Sequence, residues 1–282
     1  MLTPLPFHLL KVGHCTHPEC MAMRGGSLRS LRFPALCGLL IHPQRGAILF
    51  DTGYSAHFFD ATRVLPERAY RWVTPVAMAP EEALPAQLAR LGIAASEVRR
   101  IVISHYHGDH IAGLKAFPNA RFVSMRDEYL QLRSRSRWRN LMHGHLPQLL
   151  PADFSARLDF ADDSAAIDLP PALWPFDRGY DLLGDGSVLG VPLPGHTRGQ
   201  MGLLFRRSGG ELVLLAADAC WSMQALEMQR PPTWLASRLF DDTSRYQATF
   251  SQLRELALRA SGVCIVPSHC DLTWRHWRHE PA

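Results

Sequence analysis

Seven residues, SHYHGDH at positions 104 to 110, restrict the fold of this chain more than any other stretch. RRIVIS before them reads as a strand, because Ile101, Val102 and Ile103 form a short β-branched run. IAGL after them reads as the first turn of a helix. His105, His107, Asp109 and His110 are therefore expected to converge from one strand-to-helix turn. Buried imidazoles and carboxylates are costly unless paired or metal-bound, so four of them in one short loop point to a metal centre rather than to packing.

Three later segments repeat this arrangement. VLGVPLPGHTRGQMGLLF runs as a strand into Pro194 and Gly195, presents His196, and turns through Gly199 into another strand. ELVLLAADACW is an apolar strand ending at Asp218, and VCIVPSHCD carries the last strand to His269. Strand ends in a layered sheet gather along one edge, so these three residues are expected beside the first four.

The rest of the chain alternates strand-like and helical patterns without an internal repeat or a linker, which predicts an α/β fold. ALCGLLI and GAILFD read as adjacent strands joined by the turn HPQRG. Leu84, Leu88 and Leu91 predict a helix over 81–91. Another is expected over 244–260, with Tyr246, Phe250, Leu253 and Ala257 on one stripe and Asp242, Thr243 or Ser244 as its cap. The domain expectation is a single unit over 1–282 with a pocket-covering insertion at about 125–185. The Pro- and Asp-rich part of that insertion, from Leu146 to Asp185, shows no periodicity. Trp138, Met142, His143, His145, Trp174, Phe176, Trp221, Met223 and Trp234 are the aromatic, Met and His residues available to wall the pocket.

Composition excludes several classes. Hydrophobic residues make up 47% and charged residues 20%, as in ordinary folded proteins. The formal charge of +4 is spread over scattered arginines, with only two lysines, Lys11 and Lys115, so no nucleic-acid partner is expected. The dense run RSRSRWR, from Arg133 to Arg139, reads as a solvated helix face or loop, with contact to an anionic substrate or partner as the alternative, and its role is left unassigned. No apolar run is long enough to span a bilayer, so no membrane partner is expected. The opening residues lack the pattern of an export signal, and six cysteines make no dense disulfide framework, so the expected location is cytoplasmic. GHCTHPEC, residues 13 to 20, packs two His and two Cys together but has no matching ligand pair downstream, and reads as a loop of free thiols and imidazoles near a pocket. HGH at 143–145 lacks a third ligand and is likewise not assigned a metal.

HxHxDH followed in order by His196, Asp218 and His269, together with ILFDTG at 48–53, resembles the metallo-β-lactamase-fold hydrolases over about residues 7 to 270. That resemblance implies a four-layer αββα sandwich. It implies that His105, His107 and His196 hold one metal and Asp109, His110 and His269 a second, with Asp218 bridging both. Two Zn²⁺ per chain are expected, the same donors also suiting Fe or Mn. A bridging hydroxide would be the nucleophile, with Asp109 orienting it and passing its proton to the leaving group. Asp51, in the resemblance, orders the ligand loop by hydrogen bonding and binds no metal.

GHC near the start, FPALCGLLIHPQRGAILFDTG, SHYHGDHIAG and PGHTRGQ are similar to segments of the N-acyl homoserine lactonases. This implies opening of a lactone ester in a small-molecule substrate, and places GHC beside the pocket without a metal. Those lactonases carry Tyr three residues after the bridging Asp, where this chain has Trp221, whose indole donates one hydrogen bond but lacks a phenol's chemistry. Alternatives on the same ligand set are a glyoxalase-II-type thioesterase, an iron-dependent persulfide dioxygenase and a binding protein with an inactive site. The oligomeric state is left unassigned.

Overall fold

The structure, a computed structural model, describes residues 2–259 and 262–278. Among them the chain builds two seven-stranded sheets. One sheet runs in the order Val76–Ala77, Phe7–Pro18, Ser30–His42, Gly46–Phe50, Arg100–Val102, Arg121–Ser124 and Leu158–Phe160. The other runs Val263–Pro267, Leu212–Ala217, Met201–Arg207, Val188–Pro192, Arg178–Asp181 and Ala165–Asp168, with Pro4–Leu5 beside Met201–Arg207.

Side-chain alternation along the strands makes the layers. Ile48 and Phe50 join Phe7, Leu203, Phe205 and Leu215 in a core drawn from both sheets. Ala47 and Leu49 point the other way and pack with Phe58, Leu84 and Leu88 from the helices on that side. Leu189, Val191 and Leu214 pack with Leu226, Tyr246, Phe250 and Leu253 from the helices outside the second sheet. Three stacked apolar cores between helix, sheet, sheet and helix are the four-layer αββα sandwich expected from the sequence. Two backbone hydrogen bonds tie the ligand-bearing edges together: Leu36 N donates to Ser268 O, and Met201 N to Ser104 O, each at 3.0 Å.

The strands flanking HPQRG form as expected, Ile41 opposite Ala47 and His42 opposite Gly46. The helix expected over 244–260 forms as Thr243–Leu258, with the Asp242 side chain accepting from Arg245 N as its cap; residue 260 lies outside the described residues. Elsewhere the structure corrects the sequence reading. The helix expected over 81–91 is Leu84–Arg90, preceded by a 3₁₀ turn at Pro80–Glu82, because Pro85 is tolerated only in a first turn. Leu91 falls outside it and is 41% exposed. The turn expected at IAGL begins earlier, as Gly108–Ile111, so that Asp109 and His110 lie within it. GHCTHPEC is no loop: residues 13–18 continue the strand Phe7–Pro18, with Cys15 opposite Phe33, and a short helix Glu19–Ala22 follows. Cross-strand pairing outweighs the low strand preference of Pro and Gly there.

The span from Leu146 to Asp185 is not irregular throughout. Leu158–Phe160 extends the first sheet and Ala165–Asp168 with Arg178–Asp181 extends the second, as strands of three or four residues, too short for a period of two to show. The arginine run is divided between the end of the helix Arg126–Ser134 and the helix Arg137–Met142. Two of its members are ion-paired: Arg135, largely buried, with Asp241, and Arg137, still exposed, with Glu67 through two bonds of 2.7 and 2.8 Å.

Candidate metal centre

All seven residues singled out by the sequence meet at one edge of the sandwich. His105, His107, His196 and Asp218 form one cluster, and Asp109, His110 and His269 a second, the donor atoms within each lying inside 4.8 Å of one another. In the first, His107 Nδ1 is 3.0 Å from both His105 Nε2 and His196 Nε2, and His196 Nε2 is 3.2 Å from Asp218 Oδ2. In the second, His269 Nε2 is 3.4 Å from Asp109 Oδ2. Asp218 stands between them, its Oδ1 3.3 Å from His110 Nε2 and 3.1 Å from His269 Nε2.

Local backbone explains how each strand end delivers its residue. Asp51 and Ala217 both adopt left-handed backbone, φ 60° and 48°, at the point where a strand stops. The pairing of Leu212–Ala217 with Val263–Pro267 shifts register between Leu215 and Ala217, so Asp218 leaves the sheet where Ser268 and His269 do. Gly195, at φ +132°, precedes His196, and a Cβ there would lie 2.1 Å from Tyr246 N. Only glycine lets the His196 loop pass so close to the helix Thr243–Leu258.

Four of the five outward ring nitrogens have partners that assign the tautomers, while His196 Nδ1 is buried without one. His107 Nε2–H donates to His143 O at 2.7 Å, and His269 Nδ1–H to Pro34 O at 2.8 Å. His110 Nδ1–H donates to Asp51 Oδ2 at 2.7 Å. Ser104 Oγ donates to Asp51 Oδ2 at 2.7 Å and so accepts from His105 Nδ1–H at 3.0 Å. In the neutral ring, the form that binds a cation, the inward nitrogen of each then carries the lone pair. Asp51 is thus a hydrogen-bonding anchor of the ligand loop, and Ser104 N also donates to it at 2.8 Å.

The donors fit divalent cations. His110 Nε2 and Asp218 Oδ1 are buried and make no hydrogen bond of acceptable geometry within the protein. A set of imidazole nitrogens and carboxylate oxygens with unsatisfied inward atoms is the chemistry of a zinc, iron or manganese site. Burial, reinforced by the neighbouring imidazoles, keeps His105 well below the ordinary histidine value, and burial does the same at His196. Burial and then His145 take His107 down to about 4. At His110 burial works downward, but Asp51, Asp109 and Asp218 override it and raise the group well above its usual value. His269 is raised in the same way by Asp218. Burial works upward on Asp218, yet the histidines around it hold it well below the usual carboxylate range.

A cavity of about 400 Å³ opens onto the clusters through His107, Asp109, His196, Asp218 and His269. Its other walls are mainly apolar, among them Phe33, Tyr54, Leu141, Met142 and Leu239. Of the expected wall residues, Trp138, Met142, His143 and Trp221 line it. The others do not. His145 lies behind His107, ring centroids 4.9 Å apart; Trp174 stacks under Arg259; Phe176 and Met223 pack in the core outside the second sheet; and Trp234 is exposed. From GHCTHPEC, Cys15 and His17 line the cavity, all described cysteines are free thiols, and neither residue belongs to a metal-type cluster among the described residues. Trp221 stands with its ring edge-on to His196 at 6.1 Å, its Nε1–H buried without a partner. Tyr54 and Tyr70 were not anticipated from the sequence; burial raises both phenols, which keeps their protons on.

Comparison with known proteins agrees with this geometry. The profile of the Metallo-beta-lactamase superfamily matches residues 32–259. N-acyl homoserine lactonase AttM of Azorhizobium caulinodans is 29% identical over 270 residues, covering 92% of this chain and 90% of that protein. A solved N-acyl homoserine lactone hydrolase with N-hexanoyl-L-homoserine at its catalytic metal center is similar in fold, with a TM-score of 0.72 at 20% identity over 98% of this chain and 97% of its own. AidC, a dizinc quorum-quenching lactonase, gives a TM-score of 0.65 at 18% identity over 96% and 89%.

Proposed function

The chain belongs to the metallo-beta-lactamase superfamily and is a metal-dependent hydrolase; on that premise we propose that it uses two zinc ions to open the ester bond of a lactone, as an N-acyl homoserine lactonase does. The observation that carries the dinuclear reading is Asp218, whose carboxylate lies between the clusters, Oδ2 3.2 Å from His196 Nε2 of the first and Oδ1 3.3 Å from His110 Nε2 of the second. His105, His107 and His196 would hold the first cation and Asp109, His110 and His269 the second. Cations bound there supply Lewis acidity and a water of lowered pKa.

The remaining chemistry belongs to side chains. Asp109 lines the cavity, and we assign it the role of taking a proton from the attacking water and returning it to the leaving alkoxide. Trp221 offers one unpaired N–H in the same cavity, but its ring packs against both outer cores, and we assign it to the wall rather than to the reaction. Phe33, Leu141, Met142 and Leu239 accept an acyl chain. No lysine or arginine lines the cavity among the described residues, which favours an uncharged lactone over the carboxylate-bearing glutathione thioester of a glyoxalase-II-type enzyme. The chain is proposed to act as one unit over its whole length.

The test is elemental analysis of protein purified without chelator, followed by a panel of lactones, esters, thioesters and persulfide. Close to two metal equivalents and lactone turnover are expected. One equivalent with persulfide-dependent oxygen uptake would move the chain to the dioxygenase class. Full metallation without turnover on any substrate would make it a binding protein.

A further inference from the structure

The mouth of the cavity is ringed by three short helical segments with an unusual surface. Arg68–Val73, Arg137–Met142 and Trp234–Ser237, the last with Leu239 just beyond it, each contribute residues to the cavity wall. They are held side by side: Arg137 bonds Glu67, and His143 Nδ1 lies 3.4 Å from Leu239 O. Each segment also turns a tryptophan to solvent, Trp72 at 64%, Trp138 at 62% and Trp234 at 68% exposure, beside Val73 at 71% and Met142 at 67%. Single exposed apolar residues need no explanation, but several large ones on the three segments that wall one pocket entrance mark an interaction surface.

The charges around the ring say what it meets. Arg68, Arg71, Arg139 and Arg238 belong to the same three segments, and none makes an ion pair among the described residues. Arg238 lies over the Trp234 ring at 5.9 Å. The nearby carboxylates are already engaged: Glu67 with Arg137, Asp241 with Arg135, and Asp242 with Arg245. Exposed tryptophan interleaved with unpaired arginine matches a bilayer interface, where indoles sit at headgroup level and cations meet anionic lipid. A second copy of the chain fits less well, since a two-fold contact would bring the same unpaired arginines against themselves. No described helix is long and apolar enough to cross a membrane, and a peripheral face asks for none.

We propose that this rim of tryptophans and arginines docks the cavity mouth onto an anionic lipid surface, so that apolar substrate enters from the membrane side. The proposal concerns the surface and stands whether or not the substrate is a lactone.

The test is cosedimentation of the fully metallated protein with vesicles of phosphatidylglycerol and phosphatidylcholine, and of phosphatidylcholine alone. Binding to the anionic vesicles with a blue shift in tryptophan emission is expected, falling with added salt. Trp72→Ser with Trp234→Ser should lower the partition coefficient at least tenfold. Arg68→Gln and Arg139→Gln should each lower it roughly fivefold. All four positions are exposed and outside the cavity lining, and circular dichroism with metal analysis checks that the variants keep fold and metal. Absence of binding to anionic vesicles would overturn the proposal. So would binding undiminished in the tryptophan variant, or a dimer in sedimentation velocity that dissociates in that variant while vesicles leave the protein unbound.

Discussion

Replacing Asp51 by Asn removes one charge from a fully buried position while keeping its shape, and the site should respond in an asymmetric way. Asp51 accepts from Ser104 N at 2.8 Å, from Ser104 Oγ at 2.7 Å and from His110 Nδ1 at 2.7 Å. Asn keeps an oxygen for Ser104 N but turns an NH₂ toward Ser104 Oγ and His110. His110 must then either face donor against donor or move its proton to Nε2, the nitrogen beside Asp218 Oδ1. Both outcomes weaken it as a ligand. A hydrogen bond to a charged group contributes about 1.5–3 kcal/mol, and loss of an outer partner of a metal ligand commonly lowers affinity about 10- to 100-fold. The two ranges agree. Competition with a fluorescent chelator should therefore show one metal equivalent weakened by about that factor and the other, proposed for His105, His107 and His196, changed less, since it meets Asp51 only through Ser104 Oγ. Asp51→Ala should behave differently, because it orphans three buried donors, Ser104 N, Ser104 Oγ and His110 Nδ1, at about 1–3 kcal/mol each and so lowers the urea stability of the metal-free protein more than Asn does. If Asp51→Asn keeps both affinities within about twofold of the original chain, the tautomer reasoning is wrong at its root.

Asp218→Ala should cost more than any other single change, since it takes an oxygen from each cluster and leaves two nearby cations less compensated; metal analysis should find both equivalents depleted, and retention of two would refute the bridging role. Trp221→Phe should leave kcat within a few-fold, because ring packing is retained; a drop of two orders of magnitude or more would make the indole N–H a participant. Acid should destabilise the metal-free protein. His107 sits at about 4 in the fold against 6.5 unfolded, so the unfolded chain takes up the proton first; its contribution is whole above pH 6.5 and is lost as pH falls toward 4. His105 and His196 act in the same direction, whereas the carboxylates that raise His110 and His269 make those two act against it. Urea midpoints of chelator-treated protein should fall between pH 7.5 and 4.5, and a constant or rising midpoint would show that the raised pair dominates.

The ligands were legible because each is a polar residue at the end of an apolar strand, and a sandwich of two sheets brings such ends to one edge. Asp51 was legible through ILFDTG. What holds the ligands was not. His107 and His269 are fixed by the carbonyls of His143 and Pro34, and a backbone oxygen carries no residue identity to read. Arg135 and Arg137 looked like a solvated run because their partners, Asp241 and Glu67, lie 106 and 70 residues away in the chain. Aromatic residues gave no direction either: Trp138 and Trp221 reached the cavity, while Trp174 and Trp234 did not, and hydrophobicity alone does not tell a wall from a core.

The partner of His269 Nδ1, Pro34 O, is 235 residues distant, and four of the seven donors come from one half of the sandwich and three from the other. Neither sheet alone holds a complete set. During synthesis the strands of the first sheet are delivered well before His269 exists, so a cation has no finished cage to enter while that sheet is forming. Contacts of such separation form late and slowly. A metal held there works as a latch closed on two docked halves, not as a template around which they gather, and its loss should first be felt as loosening between the sheets while each keeps its own pairing.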